Sequence, residues 1–264
     1  MSLIIEKEAP WALVTGATGG LGIQFCELLA ARGYRLVATA RDTARLAALR
    51  EQIPQVQLAL AGDLTDPVCL RNLIRHLKRD QIEPEILINN AGFGLYGETL
   101  KQPTLDEQNL VDLNIQTLTT LTLEFAKLMQ RKNKGYILNV ASIAAFMPCP
   151  YLSVYGASKA YVLQFSEALH EELKKDGVHV TALCPGPVKT NFWSRAGIKA
   201  PEKFDFSFTD ARDVAECGLR ALFKNRAVAT YGFVNKVLVF SAQVAPRCLT
   251  RFIASEVLKN ACKK

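Results

Sequence analysis

Six short apolar runs, separated by stretches with helical spacing, constrain this chain more than any other feature of its sequence. They are WALVT at 11–15, YRLVATA at 34–40, VQLALA at 56–61, EILIN at 85–89, GYILNVA at 135–141 and VHVTALC at 178–184. Several are nearly continuous rather than alternating, the pattern of strands covered on both faces. Between them, sets such as Leu46-Leu49-Ile53 and Val162-Phe165-Leu169-Leu173 recur at helical intervals. Strands alternating with helices build a parallel sheet with right-handed crossovers. The expected fold class is therefore α/β: a doubly wound parallel sheet in three α/β/α layers. Gly33, Gly135 and Gly177 each sit just before a strand, suited to ending the helix that precedes it.

Composition bounds the possibilities. The 264 residues are 49% hydrophobic and 22% charged, an ordinary globular profile with ample material for a core. No apolar run approaches the roughly 20 residues that span a bilayer. Residues 1–10 carry Glu6, Lys7 and Glu8 without an apolar leader core, so a cytoplasmic location is expected. Seven scattered cysteines form no Cys-x-x-Cys pair or Cys/His cluster, which leaves no ground for a disulfide framework or a metal site. The net charge of +7 serves solubility or draws an anionic partner, such as a phosphorylated cofactor or an acidic substrate carrier. Basic residues are dispersed and not interleaved with aromatics, which argues against nucleic acid.

Two stretches break the alternation. Residues 189–210 hold Phe192, Trp193, Pro201, Phe204, Phe206 and Phe208 among charges, long and aromatic enough for a substrate lid or for a surface excursion. Residues 232–262 read as a helical extension broken or kinked at Pro246, built for core packing or a subunit contact; a membrane-surface helix is the other reading.

Four of the chain's 16 glycines, Gly16, Gly19, Gly20 and Gly22, fall between the first apolar run and the helical stretch that follows it. At a strand-to-helix junction, glycine lets the backbone turn sharply and approach a pyrophosphate held at the helix N-terminus. This makes the expected single domain Rossmann-like.

The motif Thr15-Gly16-x-x-x-Gly20-x-Gly22 resembles that of the short-chain dehydrogenase/reductase family. Gly19 also fits the Thr-Gly-x-x-Gly-x-x-Gly version of the longer, extended branch of epimerases and dehydratases. Other motifs are similar to the shorter, single-domain branch. Asn89-Asn90-Ala91-Gly92 ends the fourth run, and Asn114 lies on the helix after it. Ser142 follows the fifth run, with Tyr155 and Lys159 beyond, and Pro185-Gly186 ends the sixth ahead of Thr190. The resemblance covers about residues 10–195.

Tyr155 and Lys159 are one helical turn apart and share a face. An ammonium favours the phenolate, so Lys159 is expected to lower the Tyr155 pKa from its ordinary value near 10 toward the range of a general acid/base. Tyr155 would then protonate the oxygen of a carbonyl under reduction, with Ser142 hydrogen-bonding the same oxygen. The resemblance implies that Lys159 also holds the nicotinamide ribose and that Asn114 anchors a proton-relaying water. It further implies cofactor contacts from Gly16, Thr18, Gly19, Gly20, Leu21, Gly22, Arg41, Asp63, Leu64, Asn90, Ala91 and Gly92. Tyr155, Lys159, Pro185, Gly186, Val188 and Thr190 complete that set. His76, His170 and His179 lack catalytic neighbours and read as structural.

Ala40 stands where an acidic residue would bind the adenosine ribose, and Arg41 follows it. A guanidinium there favours a 2′-phosphate, so NADP(H) is expected over NAD(H), with Asp42 turned aside as a helix N-cap. Phe93, Gly94, Ile143, Ala144, Pro148, Tyr151, Leu152 and Phe192 are expected to line an apolar pocket for a small-molecule ketone, aldehyde or secondary alcohol. A 3-oxoacyl thioester on an acidic carrier is also compatible with it. A dinucleotide-binding sensor without turnover, and an extended-branch nucleotide-sugar epimerase, are the alternatives. Family members pair through the helices carrying Asn114 and Tyr155, so a homodimer or homotetramer is expected.

Overall fold

A computed structural model describes residues 9–190 and 209–261. The six apolar runs form β1 (Trp11–Thr15), β2 (Arg35–Ala40), β3 (Val56–Ala61), β4 (Pro84–Asn89), β5 (Gly135–Val140) and β6 (Val178–Leu183). A two-residue β7 (Val228–Ala229), too short to stand out in the sequence, completes the sheet. The helices are α1 (Gly20–Ala30), α2 (Thr43–Gln52), α3 (Pro67–Arg79), α4 (Thr104–Val111), α5 (Leu118–Arg131), α6 (Ser153–Leu173) and α7 (Ala211–Phe223). After β7 come α8 (Phe233–Val244) and α9 (Arg247–Ala261). Every pairing is parallel, in the order β3-β2-β1-β4-β5-β6-β7. This is a Rossmann-like α/β fold.

Near-continuous apolar runs are required because both faces of the sheet are covered. Val14, Ile86, Ile88 and Leu138 meet Phe25 and Leu29 of α1, Leu46 of α2 and Leu219 of α7. The alternate residues Leu13, Leu87, Ile137 and Val180 meet Leu73 of α3, Phe125 of α5 and Leu169 of α6. A buried polar bridge ties these layers together: Asn89 Nδ2 donates to Thr122 Oγ1 at 2.9 Å and to Asn139 Oδ1 at 2.8 Å. Asn139 Nδ2 in turn donates to Ser166 Oγ at 2.9 Å, fastening α6 to β5.

The order reverses between β1 and β4, whose C-terminal ends leave the crevice where α/β sheets bind ligands. Both the glycine turn and Asn90 to Gly92 emerge there.

Several expectations need correction. Gly177 closes the turn after α6 with φ +67°, but Gly135 ends no helix; it is the first residue of β5, and Asn133 takes the left-handed conformation instead. Pro246 does separate α8 from α9, and these helices pack inward on one side only, through the buried Asn235 and Ala254 and through Leu258. Val234, Val237, Leu238, Phe252 and Ile253 are exposed. Phe192 and most of the expected lid lie outside the described residues. The flanks of that segment are held together, since Val188 bridges Thr209 as a parallel pair. His170 and His179 ring nitrogens meet the Val180 and Leu222 carbonyls at 2.9 and 3.1 Å, while His76 pairs with Asp80.

Candidate active site

At the first crossover, Gly16 adopts φ +62°, which non-glycine residues rarely take. A Cβ there would lie 2.9 Å from the Ala91 Cα, so the turn presses against the segment after β4. Asn90 fastens that contact, its Nδ2 donating to the Thr15 and Gly16 carbonyls at 3.0 Å each. Thr15 Oγ1 accepts from the Asn90 and Ala91 amides, also at 3.0 Å. Helix α1 starts from Gly19 with no side-chain cap, leaving its N-terminus available to an anion. A Cβ on Gly22 would stand 2.2 Å from the Gly16 oxygen, and one on Gly20 would stand 2.4 Å from Thr190 Cγ2.

The crevice is thus a cradle that side chains would fill, closed by Thr190 on one side and Asn90 to Gly92 on the other. The residues present fit a dinucleotide. Gly22→Ala is expected to lower stability by about 1–3 kcal/mol, because the opposing atoms are backbone. Urea unfolding beside dinucleotide titration checks this, and unchanged values for both would contradict it.

Arg41 is exposed at the end of β2. Asp42 caps α2 by accepting from the Arg45 amide at 3.0 Å, as expected. Sequence reasoning missed Arg45 itself. Its guanidinium reaches back to donate to the Thr18 carbonyl, bringing a second cation beside the glycine turn. Asp63 is engaged locally, accepting from the Thr65 amide and hydroxyl at 3.0 and 2.8 Å. Leu64 is buried and borders a cavity of about 340 Å³ between β3 and α3 that includes none of the expected catalytic residues.

The expected catalytic residues do converge. Asn114 sits on a π-helical turn, Asp112–Thr117, a wider coil that often marks functional positions. Only 1% exposed, it clamps Phe93 from both sides: Nδ2 donates to the Phe93 carbonyl at 3.0 Å, and Oδ1 accepts the Phe93 amide at 3.2 Å. Nδ2 also reaches Ser158 Oγ at 3.0 Å, and Ser158 donates to the Tyr155 carbonyl at 2.7 Å. Ser158 was not anticipated; as a small polar residue inside a helix, it carries no signal of its own. A methyl on Gly92 would lie 3.0 Å from Asn114 Oδ1 and 3.5 Å from Lys159 Nζ, so those side chains meet at the end of the β4 loop.

Ser142 combines two duties. Its hydroxyl accepts from the Ala144 amide at 3.1 Å, capping the short turn Ile143–Phe146, and it hydrogen-bonds the Tyr155 side chain. Lys159 Nζ donates to the Val140 carbonyl at 2.7 Å and lies 5.7 Å from the centre of the Tyr155 ring. The expected acidification of Tyr155 by Lys159 does not hold. Burial pushes the phenol up to about 12, with Ser142 pulling the other way, and drives the Lys159 ammonium down to about 8. Desolvation penalises both charged forms, and the amine donates to the Val140 carbonyl.

Around Tyr155, the apolar cluster gathers Phe93, Ala144 and Leu152 from the expected pocket. Tyr151 joins through a ring contact with Tyr96 at 6.4 Å, its backbone held at φ +65°. Gly94, Ile143 and Pro148 lie on the adjoining loops, outside that cluster; the Ile143 amide donates to the Pro185 carbonyl at 2.9 Å. Two late residues also enter unannounced. The Tyr96 hydroxyl donates to the Leu258 carbonyl of α9, and Leu258 packs on the same cluster. Asn235 of α8, 2% exposed, abuts Gly186 so closely that a Cβ there would meet its Oδ1 at 2.2 Å.

Sheet order, glycine turn and crevice define a Rossmann-like α/β protein whose cradle fits a dinucleotide. The chain belongs to the short-chain dehydrogenase family, whose sequence pattern matches residues 10–200. It is similar to a probable NADP-dependent dehydrogenase of Haemophilus influenzae, 36% identical over 66% of this chain and 70% of that one. Among solved structures, it resembles a short-chain dehydrogenase from Sphingobium yanoikuyae in complex with NADPH. That match has 31% identity, a TM-score of 0.78, and coverage of 97% and 96% of the two chains. A bulky-bulky ketone specific alcohol dehydrogenase from Comamonas testosteroni is 30% identical with TM-score 0.75, covering 90% and 93%. The family uses a nicotinamide cofactor.

Proposed function

We propose that this oxidoreductase reduces hydrophobic ketones or aldehydes with NADPH, and runs the reverse oxidation of secondary alcohols. The observation that carries the reading is the Ser142–Tyr155 hydrogen bond, set inside an apolar cluster with Lys159 and Asn114 behind it. When bound, the nicotinamide supplies the hydride to the carbonyl carbon. Tyr155 donates its proton to the carbonyl oxygen, and Ser142 hydrogen-bonds that oxygen as charge develops on it. A phenol held at about 12 is fully protonated at neutral pH, and an alkoxide is more basic still, so donation runs downhill. Lys159, buried against Gly92, is suited to hold the nicotinamide ribose. Asn114 keeps the Phe93 loop at the crevice and ties it to α6 through Ser158.

Gly16, Thr18 to Gly22 and Asn90 to Gly92 would take the dinucleotide from one side, and Pro185, Gly186, Val188 and Thr190 from the other. Arg41, supported by Arg45 at Thr18, favours a 2′-phosphate. The NADPH in the Sphingobium structure and the bulky ketones named for the Comamonas enzyme support this cofactor and substrate class.

Arg41→Ala should weaken NADPH by about ten- to a hundredfold while leaving NADH nearly unchanged, measured as KM for each. Equal loss of both, or of neither, would remove the NADP assignment. The decisive test is a panel of bulky ketones and aldehydes followed by NADPH absorbance. Absence of turnover on every member would leave only dinucleotide binding.

A further inference from the structure

Helices α8 and α9 carry an apolar surface that the fold does not use. Phe233, Val237, Phe240 and Val244 recur at helical spacing along the outer face of α8, with Phe233 82% and Phe240 65% exposed. Asn235 is buried on the inner side. Leu249, Phe252 and Ile253 continue the exposed set on α9, again with Phe252 65% exposed. Scattered exposed apolar residues are unremarkable, but a run of this kind along two consecutive helices marks a contact surface.

Charge indicates what the surface meets. Residues 232–264 contain Lys236, Arg247, Arg251, Lys259, Lys263 and Lys264 against the single acid Glu256, so this stretch carries most of the net charge of +7. Lys236, Arg247, Arg251 and Lys259 are exposed. An amphipathic, aromatic and basic surface is the composition that lies in the interface of an anionic bilayer. Two-fold pairing with a second copy would instead set these positive charges against one another. No described helix is long and apolar enough to cross a membrane. Contact would therefore be along the surface.

We propose that α8 and α9 dock this protein on an anionic lipid surface. The inner side of the same two helices reaches the candidate active site. Leu258 packs in the Tyr155 cluster and accepts the Tyr96 hydroxyl, while α8 lies against the Ile143–Phe146 turn. Docking by the outer face would thus bring the apolar pocket next to the acyl phase, where hydrophobic carbonyl compounds concentrate.

The test is flotation of the full chain with vesicles of phosphatidylcholine alone and of phosphatidylcholine mixed with phosphatidylglycerol. The protein should float with the mixed vesicles at low salt, at least about tenfold more than with the neutral ones, and high salt should release much of it. The triple variant Phe233→Ser/Phe240→Ser/Phe252→Ser should lose binding by about tenfold or more. Its circular dichroism and soluble ketone turnover should remain those of the wild type, since these side chains are exposed and none belongs to the Tyr155 cluster. No flotation at low salt, or flotation unchanged in the triple variant, overturns the proposal. So does a wild-type dimer that the triple variant converts to monomer, which assigns the surface to a second copy. Vesicle binding is read without turnover, so its failure leaves carbonyl reduction standing, and the reverse holds too.

Discussion

Replacing Tyr155 with phenylalanine is expected to lower kcat for NADPH-dependent ketone reduction by about three orders of magnitude. The ring stays, so packing against Leu110 and Leu152 and contact with Lys159 are conserved. Melting temperature and NADPH affinity should hardly move. What disappears is the hydroxyl that hydrogen-bonds Ser142. The wild-type pH profile provides an independent reading of the same group. Because burial holds the phenol at about 12, its acid form persists through neutral pH, and its base form grows only at strongly alkaline pH. Reduction should therefore vary little with pH near neutrality as far as Tyr155 is concerned, whereas alcohol oxidation should climb with pH into the alkaline range. Turnover that survives in Tyr155→Phe with its alkaline rise intact would remove Tyr155 from the mechanism.

Lys159→Met should separate stability from activity. Burial lowers the Lys159 pKa from 10.5 to about 8, so below about 8 the folded chain carries a desolvated charge that the unfolded chain keeps in water. Between about 8 and 10.5 the unfolded chain binds the extra proton, and wild-type stability rises with pH. The gap amounts to on the order of 3 kcal/mol at neutral pH, reduced in the variant by losing the bond to the Val140 carbonyl. The variant should be the more stable protein at pH 7, its advantage shrinking as pH approaches 10.5, while kcat/KM falls by about a hundredfold or more. Urea melts of both proteins across this range measure the trend. A stability difference flat with pH would show that the amine is not held desolvated.

Much of this molecule could be read from residue order because each apolar run must serve two faces at once. Ile86 and Ile88 look one way and Leu87 the other, and only a covered parallel strand needs all three. Gly16 was legible for a similar reason, since clustered glycine at a strand-to-helix junction signals a sharp turn, whereas Thr15 and Asn90 were named only through resemblance. Where sequence reasoning stopped, the determining quantity was not in the local pattern. A π-helical turn at Asn114 offsets the helical register by about one residue, a shift that a single short helix does not separate from an ordinary apolar pattern. Arg45 belongs to an ordinary exposed helix start until α2 is docked and its guanidinium meets Thr18. An outward stripe on α8 has the same spacing as an inward one, so burial could not be inferred for it. The Tyr155 pKa turned on burial, which proximity along a helix does not report.

The bridge between Val188 and Thr209 has an evolutionary consequence. Both ends of the intervening stretch are anchored at one place beside the crevice, and the entropy of closing such a stretch grows only slowly with length. Insertions between those two anchors leave the register of the flanking strands undisturbed, so the sequence there is free to vary while the sheet stays constant. A fold organised this way can accept a rebuilt segment beside its crevice without first becoming unstable.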